Sequence, residues 1–284
     1  GLSTNTVREA IGWLVQDGCV TRIQGKGTFV AEKIVKPKTI GLIMPHFHSE
    51  NNENPNVSYD AKFVAPIINS IESEARKFGA RLLLCLNHAD NESGQDWWQT
   101  EIGNERANLL DLIQRKVDGI VIRYSGSIEN LEYLQLVMDN NIPLVLIDAH
   151  PNQINAKCVT TDNYQGSFDA TKHLLELRYE NTVFVCHTGN DLSAVVDRRN
   201  GYTAAMAENG SIPPAIWFVG SGMRVDDYEF AAYKAAKERL QKLSRPFALF
   251  AVNSPTLSGI WKAIKELQIP ASDYVLATFD EPTV

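Results

Sequence analysis

The stretch VDGIVIRYSGSIENLEYLQLVMDNNIPLVLID, Val117 to Asp148, decides the fold. Its two ends, VDGIVIR and IPLVLID, are short, continuously apolar and rich in β-branched residues, as strands buried on both faces should be. Between them LEYLQLVMDNN carries helical periodicity. Strand, helix and strand in so short a span make one βαβ unit with parallel strands.

The same alternation extends in both directions. Upstream, TIGLIMP and ARLLLCLN read as strands, and FVAPIINSIESEARKFG and NERANLLDLIQRK as helices. Downstream of the segment CVTTDN a second series begins: helix YQGSFDATKHLLEL, strand TVFVCH, helix DRRNGYTAAMAENG, strand AIWFVG, helix DDYEFAAYKAAKERLQKL, strand FALFAVN, helix SPTLSGIWKAIKELQ and strand YVLATFD. The expected fold is therefore α/β, with two similar lobes of doubly wound parallel sheet joined in mid-chain. A cleft between the carboxyl ends of their strands is the place for a small ligand.

Composition sets the outer bounds. The 284 residues suit two or three compact units, and 44% hydrophobic with 21% charged residues excludes wholesale disorder. No apolar run reaches the roughly 18 residues of a membrane span, and the amino terminus lacks the profile of a secretory signal, so a cytoplasmic protein without a membrane partner is expected. Cys19, Cys85, Cys158 and Cys186 lack metal-ligand spacing and read as free thiols. The lone H-x-H of His46 and His48 has no further ligands at suitable spacing, so neither a metal nor another cofactor is expected. That pair lies in HFHSENNENPNVSYD, an Asn-rich loop suited to a lid.

Net charge is −7 but unevenly spread. Residues 1–38 hold six basic groups against three acidic ones, a net of +3 that leaves −10 for the remainder. A small basic head on a large acidic body suits a chain of which only the head touches phosphates. In that head Val7, Ala10, Ile11 and Leu14 recur at helical spacing after Ser3, a candidate N-cap, and Gly18 closes the helix. VTRIQGKGTFV then alternates as two strands around Gln24, Gly25, Lys26 and Gly27, with Lys26 at the tip of a tight turn. Ser3, Thr4, Asn5 and Thr6 carry small hydrogen-bonding side chains suited to base edges, while Arg8 and Lys26 suit phosphates.

STNTVREAIGWLVQDGCVTRIQGKGTFVAEK resembles the second half of a GntR-type winged helix-turn-helix. That resemblance places Ser3, Thr4, Asn5, Thr6 and Arg8 on a recognition helix and Gln24, Gly25, Lys26 and Gly27 on a wing. Thr4 stands where the family often carries arginine, which leaves the operator preference open. Such a head needs two preceding helices, so the chain is expected to be a piece of a longer regulator whose first 35 or so residues are mobile on their own.

The body resembles the effector domain of the LacI/GalR repressors, which is similar to periplasmic sugar-binding proteins of type I. The matching pieces are IGLIMP, INSIESEARKFGARLLL, VDGIVI, IPLVLID, VTTDNYQGSFDATKHLL, RRNGYTAAM, ALFAVN and LATFDE, in that order. The resemblance implies ligand positions at Phe63, Asp148, Arg198, Asn253 and Asp280. It also implies that the chain stops before the last strands and helix of the second lobe. The expected division is a partial winged helix at 1–33, a linker at 34–38 and an effector domain at 39–284 with lobes at 39–160 and 161–284. A GntR-type head on such a body is similar to the pairing in bacterial arabinose-type repressors.

Each candidate has a plainer reading. Asp148 and Asp280 also suit caps of following turns, and Asn253 an N-cap for the helix at Ser254. Arg198 and its neighbour Arg199 are not separable by spacing. Tyr228 and, less directly, Trp97 and Trp98 suit stacking on a sugar ring, although such tryptophans more often pack a core. Carboxylates, an arginine fork and an amide suit a neutral polyol, hence a mono- or disaccharide or a derivative as effector. The function that follows is a homodimeric, ligand-responsive repressor bound to operator DNA. A sugar-binding protein without a DNA role explains the body and fails at the head. An enzyme lacks a phosphate-cradling glycine loop, a nucleophile elbow and a histidine paired with a carboxylate.

Overall fold

The structure, a computed structural model, describes residues 4–16, 20–30, 37–44, 59–86, 97–179, 181–188, 192–210, 214–221 and 225–280. Ser3, Gly18, Cys19, His46 and His48 fall outside them. Two compact units are present, Gly1–Lys38 and Thr39–Val284.

In the first unit, helix α1 (Thr4–Gln16) precedes an antiparallel ribbon of β1 (Val20–Ile23) and β2 (Gly27–Val30). The Lys26 amide closes the turn by donating to the Ile23 carbonyl at 3.0 Å. Gly25 and Gly27 sit at φ +75° and +120°, conformations that a Cβ opposes, which is why glycine occupies both. Trp13, Leu14, Val15, Phe29 and Val30 are exposed.

The second unit contains two wholly parallel sheets. The first has the order β4–β3–β5–β6–β7, formed by β3 (Thr39–Met44), β4 (Arg81–Leu86), β5 (Gly119–Arg123), β6 (Leu144–Ile147) and β7 (Lys157–Val159). The second has the order β11–β10–β8–β9, from β8 (Asn181–Thr188), β9 (Ala215–Ser221), β10 (Phe247–Ala251) and β11 (Tyr274–Thr278). In each sheet the chain starts in the interior, moves one strand outward, and returns to the other side of its first strand. The winding direction thus reverses between β3 and β5, and again between β8 and β10, the switch points where open α/β sheets leave a crevice.

Helices cover both faces of both sheets, as continuous apolar strands require. Ile43, Ile122 and Leu146 pack on Leu109 and Leu112 of α3 (Trp97–Gln114) and on Leu134 and Val137 of α4 (Leu131–Asp139). On the opposite face Leu42 and Met44 meet Val64 of α2 (Tyr59–Lys77). In the second sheet Phe184, Ala248 and Phe250 pack on Leu174 of α5 (Asn163–Glu176) and on Tyr202 and Met206 of α6 (Ser193–Asn209). Val183, Val185, Leu249 and Ala251 face Ala232 and Ala236 of α7 (Val225–Arg239) and Leu257 and Ile260 of α8 (Ser254–Glu266).

Two features depart from the sequence reading. Residues 157–159, expected to be part of a connection, form the edge strand β7, which is too short to show an alternation of its own. Helix α3 begins at Trp97, seven residues before the start expected at Asn104, so Trp97 and Trp98 lie in its first turn. Its inward stripe runs Ile102, Glu105, Leu109 and Leu112, and Gly103, a poor helix former, separates the missed turns from the expected start.

Candidate functional site

The carboxyl ends of β8, β10 and β11 converge with the start of α6. Arg198, on the second turn of α6, is 9% exposed and its guanidinium is held on three sides. Nε donates to Asn163 Oδ1 at 2.8 Å, Nη1 donates to the Val252 carbonyl at 2.7 Å, and the Phe279 ring lies 3.9 Å beneath the plane. Nη2 faces Asp280 Oδ1 at 3.9 Å, an ion pair too long for a direct hydrogen bond. A hydroxyl between the two can accept from the guanidinium and donate to the carboxylate. Asp280 Oδ2 also lies 3.4 Å from the Ser254 amide. These partners single out Arg198 over Arg199, a choice that spacing alone leaves undecided.

Asn253 is the N-cap of α8. Its Oδ1 accepts from the Thr256 amide at 3.1 Å and from the Thr256 hydroxyl at 2.7 Å, which leaves Nδ2 to face His187 Nε2 at 3.3 Å. That amide orientation makes Nε2 an acceptor and puts the imidazole proton on Nδ1. Burial drives the His187 pKa down to about 4, so the ring is neutral at physiological pH. Tyr228 stacks on the imidazole with centroids 3.7 Å apart. Capping uses only Oδ1, and Nδ2 carries a second N–H besides the one that faces His187.

The first lobe contributes Asp148, immediately after β6. Its φ of +70° is a left-handed conformation that aspartate tolerates better than most residues. Oδ2 pairs with Arg123 Nη2 at 3.3 Å, both side chains being about one-fifth exposed. Arg123 ends β5, so this pair marks the strand ends of the first lobe as Arg198 and Asp280 mark those of the second.

The lobes touch beside these pairs. The His150 amide, two residues beyond Asp148, donates to Ser193 Oγ at 3.0 Å. Gly126, at φ +92° in the loop after β5, abuts Leu192: a Cβ there would stand 2.6 Å from Leu192 Cδ2. Both contacts fall at the start of α6, one turn before Arg198. Arg198, Asn253, Asp280 and Tyr228 are therefore brought together in the second lobe, with Asp148 on the first-lobe side. Phe63 lies on α2, and its side chain is outside the described residues. In the other unit Thr4, Asn5 and Thr6 open α1, Arg8 is exposed on it, and Gln24, Gly25, Lys26 and Gly27 form the exposed ribbon turn.

Arg123, Asn163 and His187 belong to the arrangement and have no distinguishing local pattern. A histidine closing VFVCH reads as one more strand residue until Asn253 and Thr256, 66 and 69 positions away, fold against it.

Comparison with known proteins agrees with this fold. An arabinose metabolism transcriptional repressor of Geobacillus stearothermophilus is 28% identical over 99% of the chain and 73% of its own length. A second of that name, from Halalkalibacterium halodurans, is 27% identical over 74% of the chain, which spans about half of that relative (52%). Among solved structures, a LacI family transcriptional regulator from Silicibacter pomeroyi superposes with a TM-score of 0.62 at 21% identity, over 84% of this chain and 78% of the other. No described helix is long and apolar enough to cross a membrane. A family profile described as the periplasmic binding protein domain matches residues 55–283. With both doubly wound lobes inside or overlapping that span, the chain belongs to the periplasmic binding protein domain family.

Proposed function

We propose that the chain is the sensing body and part of the DNA-reading head of a ligand-responsive transcriptional repressor, not an enzyme. The observation that carries this reading is the convergence of Arg198, Asp280 and Asn253 at the second-lobe strand ends beside the contact with the first lobe. A hydrogen-bonded arginine and a carboxylate held 3.9 Å apart match a small carbohydrate that offers donors and acceptors on adjacent carbons. The effector is a mono- or disaccharide or a derivative, and the names of the arabinose repressors support a sugar. Tyr228 adds aromatic surface to this site, and the resemblance assigns Phe63 as a further ligand position.

The head acts as the second half of a GntR-type winged helix, in residues 1–33, followed by a linker at 34–38 and the two lobes at 39–160 and 161–284. Support comes from an α-helix followed by an antiparallel ribbon with Lys26 on its exposed turn. Ser3, Thr4, Asn5 and Thr6 read base edges, Arg8 and Lys26 reach phosphates, and Gln24, Gly25 and Gly27 complete the wing around Lys26. The active species is a cytoplasmic homodimer. Exposed Phe78 and Leu84 beside and on edge strand β4, with Phe218 and Phe230 on and near edge strand β9, supply apolar surface for a partner copy.

The intact gene product, tested for retardation of DNA flanking its own gene, binds a fragment and releases it when the effector sugar is added. Arg8→Ala with Lys26→Ala weakens DNA binding and flattens its logarithmic salt slope by about 1 for each phosphate no longer neutralised, with sugar binding unchanged. Sugar binding with no retarded fragment would favour a binding protein without a DNA role.

A further inference from the structure

Glu105 is a carboxyl group with no solvent exposure, placed on the inward face of α3 among Ile102, Leu109 and Leu112. A carboxylate in such a position persists only where donors compensate it. Three do so. The Ser125 amide donates to Oε2 at 2.7 Å, the Ser125 hydroxyl to Oε1 at 3.0 Å, and Asn130 Nδ2 to Oε1 at 2.8 Å. Asn130, itself fully buried, is anchored by its other N–H to the Ile102 carbonyl at 2.9 Å. These bonds clamp both ends of the loop 125–130, which leaves the carboxyl end of β5, and Gly126 of that loop abuts Leu192 of the second lobe.

We propose that Glu105 is the positioning residue of the first-lobe rim, and that its protonation loosens the contact between the lobes. A carboxylate is acceptor-only, whereas a carboxylic acid must also donate one hydrogen. All three partners donate through N–H or O–H, and the two N–H groups cannot reverse. Among them only the Ser125 hydroxyl can turn, so a proton on Oε2 meets the Ser125 amide, while a proton on Oε1 is taken by the turned hydroxyl and leaves Asn130 donating to a neutral oxygen. Protonation therefore strips the charge assistance from the loop's anchors and weakens them, and the displacement passes through Gly126 to Leu192 and to the Ser193 hydroxyl beside it.

Titration of this group falls in the physiological range. Burial raises the Glu105 carboxyl to about 7, with the bonds from Asn130 and Ser125 opposing and the nearby charge of Glu101 adding to the rise. The other ionisable groups on the elements packed around it, among the described residues, are Arg106 of α3, Tyr124 at the end of β5 and Glu129 before α4. Arg106 lies 3.7 Å from Glu129 and over the Tyr133 ring, which balances that side of the loop. Tyr124 is held above its ordinary value by burial and by Glu105, so it stays neutral.

The proposal depends on the cleft reading only for its consequence on effector affinity, and its test needs no ligand. Amide and methyl NMR spectra of the full chain are followed from pH 5.5 to 8.5 in a His150→Gln background, which removes the imidazole next to Ser193. The Ser125 amide, the Leu192 methyls and the Ser193 amide are expected to titrate with one common midpoint, and Glu105→Gln to abolish all three titrations. In Leu192→Ala, Ser125 still titrates while Ser193 no longer follows, a readout that survives even if Glu105→Gln fails to fold. A titrating Ser125 with flat Leu192 and Ser193 signals would overturn the coupling. Unchanged titrations in Glu105→Gln would overturn the assignment to Glu105. Either failure leaves the carbohydrate reading of the cleft standing.

Discussion

Glu105 and His187 are both buried, one in each lobe, and burial moves their proton affinities in opposite directions because it penalises the charged form of each. The folded pKa of Glu105, about 7, lies above its ordinary 4.5, so the native state binds this proton more tightly than the unfolded chain. Its stabilising contribution is complete below pH 4.5 and is lost as the pH rises towards 7. The folded pKa of His187, about 4, lies below its ordinary 6.5, so its contribution is complete above 6.5 and is lost as the pH falls towards 4. Between those limits the two slopes oppose. Urea denaturation from pH 4.5 to 7 is expected to expose each in turn. Relative to the wild type, Glu105→Gln makes stability rise more steeply with pH, and His187→Asn makes it fall, each by on the order of 3 kcal/mol across the window. Variants that merely shift the whole curve, with no change of slope, would contradict the burial of these charges.

At the scale of elements, two helix crossings are set by glycine. A Cβ on Gly201 of α6 would collide with the Tyr164 carbonyl of α5, and one on Gly259 of α8 with the Glu229 carbonyl of α7. Backbone cannot step aside as a flexible side chain can. Gly259→Ala is therefore expected to destabilise the fold by about 1–3 kcal/mol. Gly103, exposed on α3 with open space around its Cα, is the control: Gly103→Ala is expected to stabilise by about 0.4–1 kcal/mol. Equal effects at the two sites in chemical denaturation would show that helix propensity, not close approach, governs both. Elements of this kind are readable in sequence wherever apolar continuity is unbroken, as in β10, whose five residues are all buried. Reading fails where tertiary structure overrides the pattern. β7 is held by pairing with β6 and not by its own three residues, and the first turns of α3 are masked by Gly103, a residue of poor helix propensity.

For the molecule as a whole, the order of strands is what brings distant residues together. Asp148, Arg198, Asn253 and Asp280 are legible because each sits at the end of an apolar strand or the start of a helix, positions that a doubly wound sheet gathers at one edge. Arg123, Asn163 and His187 are not, because their meaning lies in partners supplied by other elements. The arrangement leaves an arginine and a carboxylate 3.9 Å apart in the second lobe, beside a small contact with the first. Lobes whose contacts include, among the described residues, the His150–Ser193 hydrogen bond and a glycine–leucine approach can be biased by any ligand that binds across them. The central claim is that a carbohydrate occupies this position by bridging Arg198 and Asp280. Isothermal titration of L-arabinose, D-ribose and D-galactose into the wild type and Asp280→Asn tests it most directly. At least one sugar is expected to bind the wild type and to lose about 10- to 100-fold in affinity in the variant, the worth of one hydrogen bond to a buried charge. Binding of none of the three, or equal binding by both proteins, would contradict it.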